Sequence, residues 1–280
     1  MATKIGIAGI TGKFGRLLAR SLLRRDDTEV RGYCRNSSNA PSWLTSIPAV
    51  TLHQGEAFGA DAIRSFVRGL DVVVCAYLGD PKLMVDGQKA LIDACEAEGV
   101  PRYVASDWCL DYTKLQLGEL FPKDPMIHVK AYLDQKTSVQ GVHILVGGFM
   151  DPQFSPLFGL WDPLTQTLRH WGTGDEIWEG TSYENAADFT AAVCVDKEAS
   201  GVLRCESLMH AVKTTSYSPS FWNSLVLGDR KSFKQIAESF GNVYGIDPKL
   251  ESLGTLQELH DKMHAIRAEA PHEFFNYMFL

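Results

Sequence analysis

Lys4-Ile5-Gly6-Ile7-Ala8, followed at once by Gly9-Ile10-Thr11-Gly12-Lys13-Phe14-Gly15, decides how this chain folds. The first five residues read as a short apolar strand, and Leu17-Leu18-Ala19-Arg20-Ser21-Leu22-Leu23 then runs at helical period. A strand, a glycine-rich turn and a helix, in that order, cradle the phosphates of a nucleotide. Gly9 permits the tight turn, Gly12 lets backbone approach a pyrophosphate, and Gly15 lets the helix sit close to the sheet. The exposed N–H groups and the dipole at the helix N-terminus favour a bound anion. Thr11, Lys13 and Phe14 complete the loop as candidate cofactor contacts.

The second strand, Glu29-Val30-Arg31-Gly32-Tyr33-Cys34, ends at Arg35-Asn36-Ser37-Ser38. Sites for NAD place a carboxylate about 20 residues beyond the glycine loop, whereas NADP sites place an arginine nearby for the 2′-phosphate. Here the strand end offers Arg35 and two serines and no carboxylate, with Lys13 as a second positive charge. The expected cofactor is therefore NADP(H) rather than NAD(H), because a guanidinium matches phosphate geometry.

Further on, Val50–Gln54 reads as a strand, Ala60–Arg68 as a helix, and Leu70–Ala76 as an apolar, β-branched strand buried on both faces. Ala76, at that strand's end, joins the candidate cofactor contacts. Gly87–Glu98 reads as an amphipathic helix, Tyr103–Ser106 as a strand, Pro125–Gln140 as a helix and Val142–Val146 as a strand. Alternation of this kind predicts an α/β fold, a Rossmann-type doubly wound parallel sheet with ligands at the carboxyl ends of its strands. Residues 1–150 are expected to form the NADP-binding domain. Residues 151–280 are expected to form a smaller C-terminal substrate lobe interleaved with it. Asp151–Thr181, rich in Pro, Gly and Trp, suits loops around a pocket. Ser182–Asp196, Ser232–Tyr244 and Thr255–Glu269 read as helices.

Composition narrows the function classes. The chain has 280 residues, 45% hydrophobic and 22% charged, as in ordinary globular proteins. A net charge of −7 argues against a bulk electrostatic grip on nucleic acid. No signal peptide is expected, since the first strand follows Met1 almost directly. No apolar run approaches the ~18 residues of a membrane span. The six cysteines, Cys34, Cys75, Cys95, Cys109, Cys194 and Cys205, form no C-x-x-C or metal-ligand cluster. Buried free thiols in a reducing, cytoplasmic setting are expected, with no metal.

The loop spacing, G-x-x-G-x-x-G, resembles that of the extended and atypical short-chain dehydrogenase/reductase families. Together with Arg35, Gln88-Lys89-Ala90-Leu91-Ile92-Asp93-Ala94 and Gly99-Val100-Pro101-Arg102-Tyr103-Val104-Ala105-Ser106-Asp107-Trp108, it resembles the NmrA-like and isoflavone-reductase-like group of those families. The likeness covers about the first 150 residues well and the rest loosely. It implies a Rossmann fold, and a family that contains NADPH-dependent reductases, redox-sensing regulators and some non-redox enzymes. Two features depart from the pattern. The family's Ser-Glu-Phe-Gly is here Ser106-Asp107-Trp108-Cys109, and the sequence ends at Tyr277-Met278-Phe279-Leu280 where relatives often run on.

Many short-chain reductases use Tyr-x-x-x-Lys, and Tyr132-Leu133-Asp134-Gln135-Lys136 fits that spacing. In the register of resembling proteins, however, counting back from Gly141 lands on Lys130, and the tyrosine position becomes Met126. Loss of that tyrosine is what the isoflavone-reductase-like group shows, with the lysine carrying the proton chemistry. Lys130 is therefore preferred to the Tyr132/Lys136 pair as the catalytic group and cofactor contact. Tyr132 and Lys130 lie about 200° apart on a helix, so both cannot face one ligand. Asp107, with Trp108, should overhang the nicotinamide, and His128 is a weaker proton-relay candidate. Phe149, after Gly147-Gly148, matches a family position near the nicotinamide. Trp161, Trp171, Trp178, Phe154, Phe158 and Phe274 could wall a pocket for a flat apolar substrate.

The function expected first is NADPH-dependent reduction of a small aromatic or conjugated carbonyl compound. The alternatives are an NADP(H)-sensing regulator of the NmrA type with a protein partner, and a non-redox isomerase or cyclase on the same fold. The acid and base of the isomerase or cyclase would be Asp107 or His128.

Overall fold

The computed structural model describes residues 2–156, 158–204, 229–271 and 273. Cys205, Phe274 and the closing stretch 277–280 lie outside the described residues.

The chain opens with β1 (Thr3–Ala8), α1 (Lys13–Leu23), β2 (Thr28–Cys34), α2 (Ser42–Thr45), β3 (Val50–Gln54) and α3 (Ala60–Val67). β4 (Val72–Cys75), α4 (Gln88–Glu98), β5 (Arg102–Val104), α5 (Asp124–Leu133) and β6 (Gln140–Leu145) follow. Next come β7 (Gly148–Phe149), α6 (Met150–Gln153), β8 (Trp161–Asp162), β9 (Thr167–His170) and β10 (Ile177–Thr181). The remainder supplies α7 (Tyr183–Val195), β11 (Gly201–Arg204), β12 (Asp229–Ser232), α8 (Phe233–Tyr244), β13 (Lys249–Ser252) and α9 (Leu256–Glu269).

These elements fall into two compact units. The first takes the chain up to Leu145 and takes it up again from Tyr183; the second takes Val146–Ser182 and the stretch from Gly228 on.

In the first unit, seven parallel strands lie in the order β11-β6-β5-β4-β1-β2-β3. The order reverses between β1 and β4, and ligands of such sheets bind at the carboxyl ends of the strands beside that reversal. β4 is buried along its whole length, which requires cover on both faces. On one face Ile63, Phe66, Leu91, Ile92, Val129 and Leu133 from α3, α4 and α5 pack on Val73, Cys75 and Tyr103. α1 and α7 pack against each other and bury Leu18, Ala19, Leu22, Ala187, Ala191 and Cys194. Burial of each large aliphatic here stabilises by about 1.5–3 kcal/mol.

Arg102, at the start of β5, is buried, and its guanidinium donates to the carbonyls of Val193, Cys194 and Asp196 at the end of α7. β11 then adds a seventh strand beside β6, beyond the segment expected to hold the sheet. Between β4 and α4 the chain makes one π-helical turn, Leu83–Gly87, a form frequent at functional sites. The helix expected over Pro125–Gln140 ends at Leu133, and Gln140 already belongs to β6.

The second unit holds two three-stranded sheets, β12-β10-β7 and β13-β9-β8. Asp151–Thr181 is thus built of short strands as well as loops, where the sequence suggested loops. Capping boxes fix the starts of α8 (Ser232 with Gln235) and α9 (Thr255 with Glu258). Among the described residues no helix is long and apolar enough to cross a membrane.

Candidate functional site

The glycine loop lies at the strand-order reversal. Gly9 leaves β1 with φ of 86°, and its N–H donates to the Tyr33 carbonyl of β2 at 2.9 Å. A β-carbon on Gly9 would stand 2.7 Å from the carbonyl oxygen of Ala76, the first residue after β4. One on Gly15 would stand 2.5 Å from the Gly9 carbonyl oxygen, so Gly15 serves close packing of α1 on the loop itself. Gly12 differs: a β-carbon there would meet only the Gly9 oxygen, at 3.1 Å, and its outer side is open.

Gly12 caps α1 without a side-chain hydrogen bond, and the first turn carries no acidic residue. The dipole at the N-terminus of α1 therefore favours an anion there. Thr11 is half-buried in the loop. The Lys13 ammonium lies 4.4 Å from the centre of the Tyr183 ring. Arg35 is exposed just past the end of β2, with Ser37 held by Gln54 and Ser38 by Asn36. Gly9, Thr11, Gly12, Lys13, Phe14, Gly15, Arg35 and Ala76 thus gather at the carboxyl ends of β1, β2 and β4.

The end of β5 is fixed from below. Gln88, fully buried just after the π turn, donates to the Met84 carbonyl and accepts from the Ser106 N–H at 3.0 Å. The Ser106 hydroxyl donates to the Tyr77 carbonyl at 2.6 Å. Trp108 follows with φ of 34°, a left-handed backbone that is costly for a bulky residue. Its indole N–H donates to Thr190 on α7 at 2.9 Å, and its ring centre lies 4.3 Å from that of Phe14. This aromatic is therefore tied to the glycine loop.

The Asp107 side chain is fully buried and turned inward. Its Oδ2 lies 2.7 Å from His143 Nδ1 on β6 and accepts from the Tyr112 hydroxyl at 3.1 Å; Tyr112 and His143 are themselves 3.0 Å apart. Burial, the first cause, and then the Asp107 charge push the Tyr112 phenol far above its ordinary range. Asp107 Oδ1 and His143 Nε2 are buried with no protein partner. Sequence reasoning missed this network. A histidine inside the apolar run Val142–Val146 was the available signal, since a buried imidazole needs a partner.

Lys130 sits on α5 with its side chain 27% exposed and pairs with Asp134 at 2.7 Å. Met126, at the tyrosine position of its register, is buried with Met84, Cys109, Tyr112 and Leu145. Tyr132 and Lys136 are engaged elsewhere: the Tyr132 hydroxyl donates to Asp93 at 2.6 Å, and Lys136 pairs with Asp93 and Glu96, all on the outer side of α4. The hydrogen bond to Asp93, and then that to Glu96, hold the Lys136 ammonium above its ordinary pKa. Lys136 also lies just before β6, at the amino end of the sheet. His128 is exposed on α5.

Phe149 belongs to the second unit, where β7 pairs with β10. That unit contains a pocket of about 260 Å³ lined by Met150, Phe154, Trp178, Ile236, Phe240 and Tyr244, with Lys231 and Ser239 as its polar members. Trp161 packs on Phe240, and Lys262 lies over Trp171. Among the described residues no three metal-binding side chains cluster.

The NAD(P)H-binding family model matches residues 9–142. No curated protein sequence matches the chain. Among solved structures, an isoflavone reductase is similar over 100% of this chain and 87% of its own, with 14% identity and a TM-score of 0.70. AtPrR2 with NADP+ and (+)-pinoresinol is similar over 100% and 89%, with 16% identity and a TM-score of 0.71. The NADPH-dependent quinone oxidoreductase QOR2 of Escherichia coli, complexed with NADPH, is similar over 98% and 86%, with 17% identity and a TM-score of 0.68. The NAD(P)H-binding family model thus covers the glycine loop and the sheet as far as β6, and the chain shares the fold of these solved structures, the isoflavone reductase among them.

Proposed function

We propose that this protein is an NADPH-dependent reductase of a small aromatic or conjugated carbonyl compound. The observation that carries the reading is the open Gly12 backbone at an uncapped α1, with the exposed Arg35 guanidinium at the end of the neighbouring β2. The α1 N-terminus would hold the pyrophosphate, and Arg35 with Ser37 and Ser38 the 2′-phosphate. Structural neighbours solved with NADPH or NADP+ support the same cofactor.

When bound, the dihydronicotinamide supplies the hydride. Lys130 holds a proton at Nζ and delivers it, directly or through one water, to the oxygen that becomes negative. No phenol stands at the tyrosine position to share that task, because Met126 fills it. Asp107 acts through the loop rather than on the substrate: its bonds to His143 and Tyr112 hold the turn that sets Trp108 against Phe14. The pocket within the second unit, lined by Phe154, Trp178 and Phe240, has the chemistry to take a flat apolar ligand. The five described cysteines are buried free thiols, which supports a reducing, cytoplasmic setting.

Calorimetric titration with NADPH and NADH, followed by NADPH oxidation against flat aromatic carbonyls, tests this reading. Selective NADPH binding with Lys130-dependent turnover is the expected result. Selective binding with no turnover on any carbonyl would favour a sensor or a non-redox enzyme, and absence of binding would overturn the cofactor assignment.

A further inference from the structure

α9 carries His260-Asp261-Lys262-Met263-His264, which places two imidazoles one helical turn apart on one face. Their Nε2 atoms face each other at 3.1 Å, with ring centres 4.4 Å apart. We propose that His260 and His264 chelate a single late transition-metal dication such as Zn2+ or Cu2+.

The bite is right for such an ion. With metal–nitrogen bonds of about 2.0–2.1 Å, nitrogens at this separation subtend about 100° at the metal, between square-planar and tetrahedral angles. A carboxylate also stands near the ring, without a hydrogen bond to it. Asp261 Oδ1 stands 3.5 Å from His260 Nδ1, and Gln257 Nε2 donates to that same oxygen at 2.8 Å. A carboxylate beside Nδ1 favours the tautomer with its proton there, which leaves the Nε2 lone pair for a metal. His260 is 48% exposed, so water can complete the coordination shell. Two imidazoles select zinc, copper or nickel over magnesium or calcium, which take oxygen ligands. The site belongs to the second unit and not to the one that bears the glycine loop. Closing a ring across one turn favours the folded helix over the unfolded chain, so the ion would raise the melting temperature.

The test uses the full-length, untagged protein. Zn2+ is titrated calorimetrically, and Cu2+ is followed by electron paramagnetic resonance. One equivalent per chain is expected, with a nitrogen-ligand pattern for Cu2+ and a rise in melting temperature that Mg2+ does not reproduce. His260→Ala and His264→Ala should each weaken binding at least about tenfold, since each removes one of the two nitrogen ligands. Both histidines are on the surface of one helix, and circular dichroism checks that each variant is folded. Unchanged Zn2+ affinity in the His260→Ala/His264→Ala double variant would assign the ion to other side chains and overturn the proposal.

Discussion

The ammonium of Lys130 and the carboxylate of Asp134 are 2.7 Å apart on successive turns of α5, whereas Lys136 is bound to Asp93 and Glu96 of α4. Two lysines in one short stretch thus hold separate partners. Lys130→Ala is expected to lower kcat about 100-fold or more, the usual contribution of a positioned acid, with NADPH affinity changed far less. Lys136→Ala should leave kcat within about threefold and reduce stability by about 1 kcal/mol or less. Steady-state kinetics on both variants decide between them, and the reverse order would restore the Tyr132/Lys136 pair.

Arg35→Ala should raise the NADPH dissociation constant about 10- to 100-fold, the loss of one charge-assisted contact of about 1.5–3 kcal/mol. Affinity for NADH, which lacks the 2′-phosphate, should not move. Titration of the variant with both cofactors reads the difference.

Gly12 and Gly15 should fail in different ways. Gly15→Ala forces a β-carbon to 2.5 Å from a backbone oxygen and is expected to destabilise by about 1–3 kcal/mol. Gly12→Ala meets only one oxygen at 3.1 Å, so it should melt near the parent temperature while losing cofactor affinity. Thermal melts and NADPH titration on each variant are sufficient.

The Asp107 network predicts graded losses. Tyr112→Phe removes the hydroxyl that bonds both Asp107 and His143, about 1–2 kcal/mol, and Asp107→Ala should cost more, because buried polar atoms of His143 and Tyr112 lose their common acceptor. Urea unfolding gives both values. If Asp107→Ala were neutral, the loop would be held by other contacts.

Acid should weaken the link between the β5 loop and β11. Burial alone would raise the Asp111 carboxyl, but the hydrogen bonds from Thr113 and from the Arg204 guanidinium outweigh it and hold the pKa at about 2, against an ordinary 3.8. A depressed folded-state pKa gives stability that is present above the ordinary value and lost as pH falls through about 2. Unfolding midpoints measured across that window should fall with pH in the parent and fall less in Asp111→Ala.

Local pattern carried most of the frame. β3 over Val50–Gln54 matches its expected bounds, and β1, β2, α3 and α7 fall within a residue or two of theirs, because short apolar runs bounded by glycine or polar turns have few other solutions. The end of α5 was not legible: helix-compatible residues continue past Leu133, and the pairing of Gln140 with Arg102 on β5 decides where β6 starts. β11 was invisible for the same reason, since partnership with β6 defines a strand of only Gly201–Arg204. Local pattern placed the glycine loop and Arg35 at the carboxyl ends of β1 and β2. Asp107 was read as facing a ligand because its strand position was known, but its rotation towards His143 depends on long-range packing.

Arg102 and β11 set a limit on how this protein can be shortened. A recombinant fragment that stops near residue 150 would carry the whole nucleotide loop, yet β6 would become a bare edge, open to pairing with other chains. The buried guanidinium would also lose its three acceptors on α7. Such a fragment should aggregate on expression, so the first half of the gene does not encode a portable cofactor-binding module.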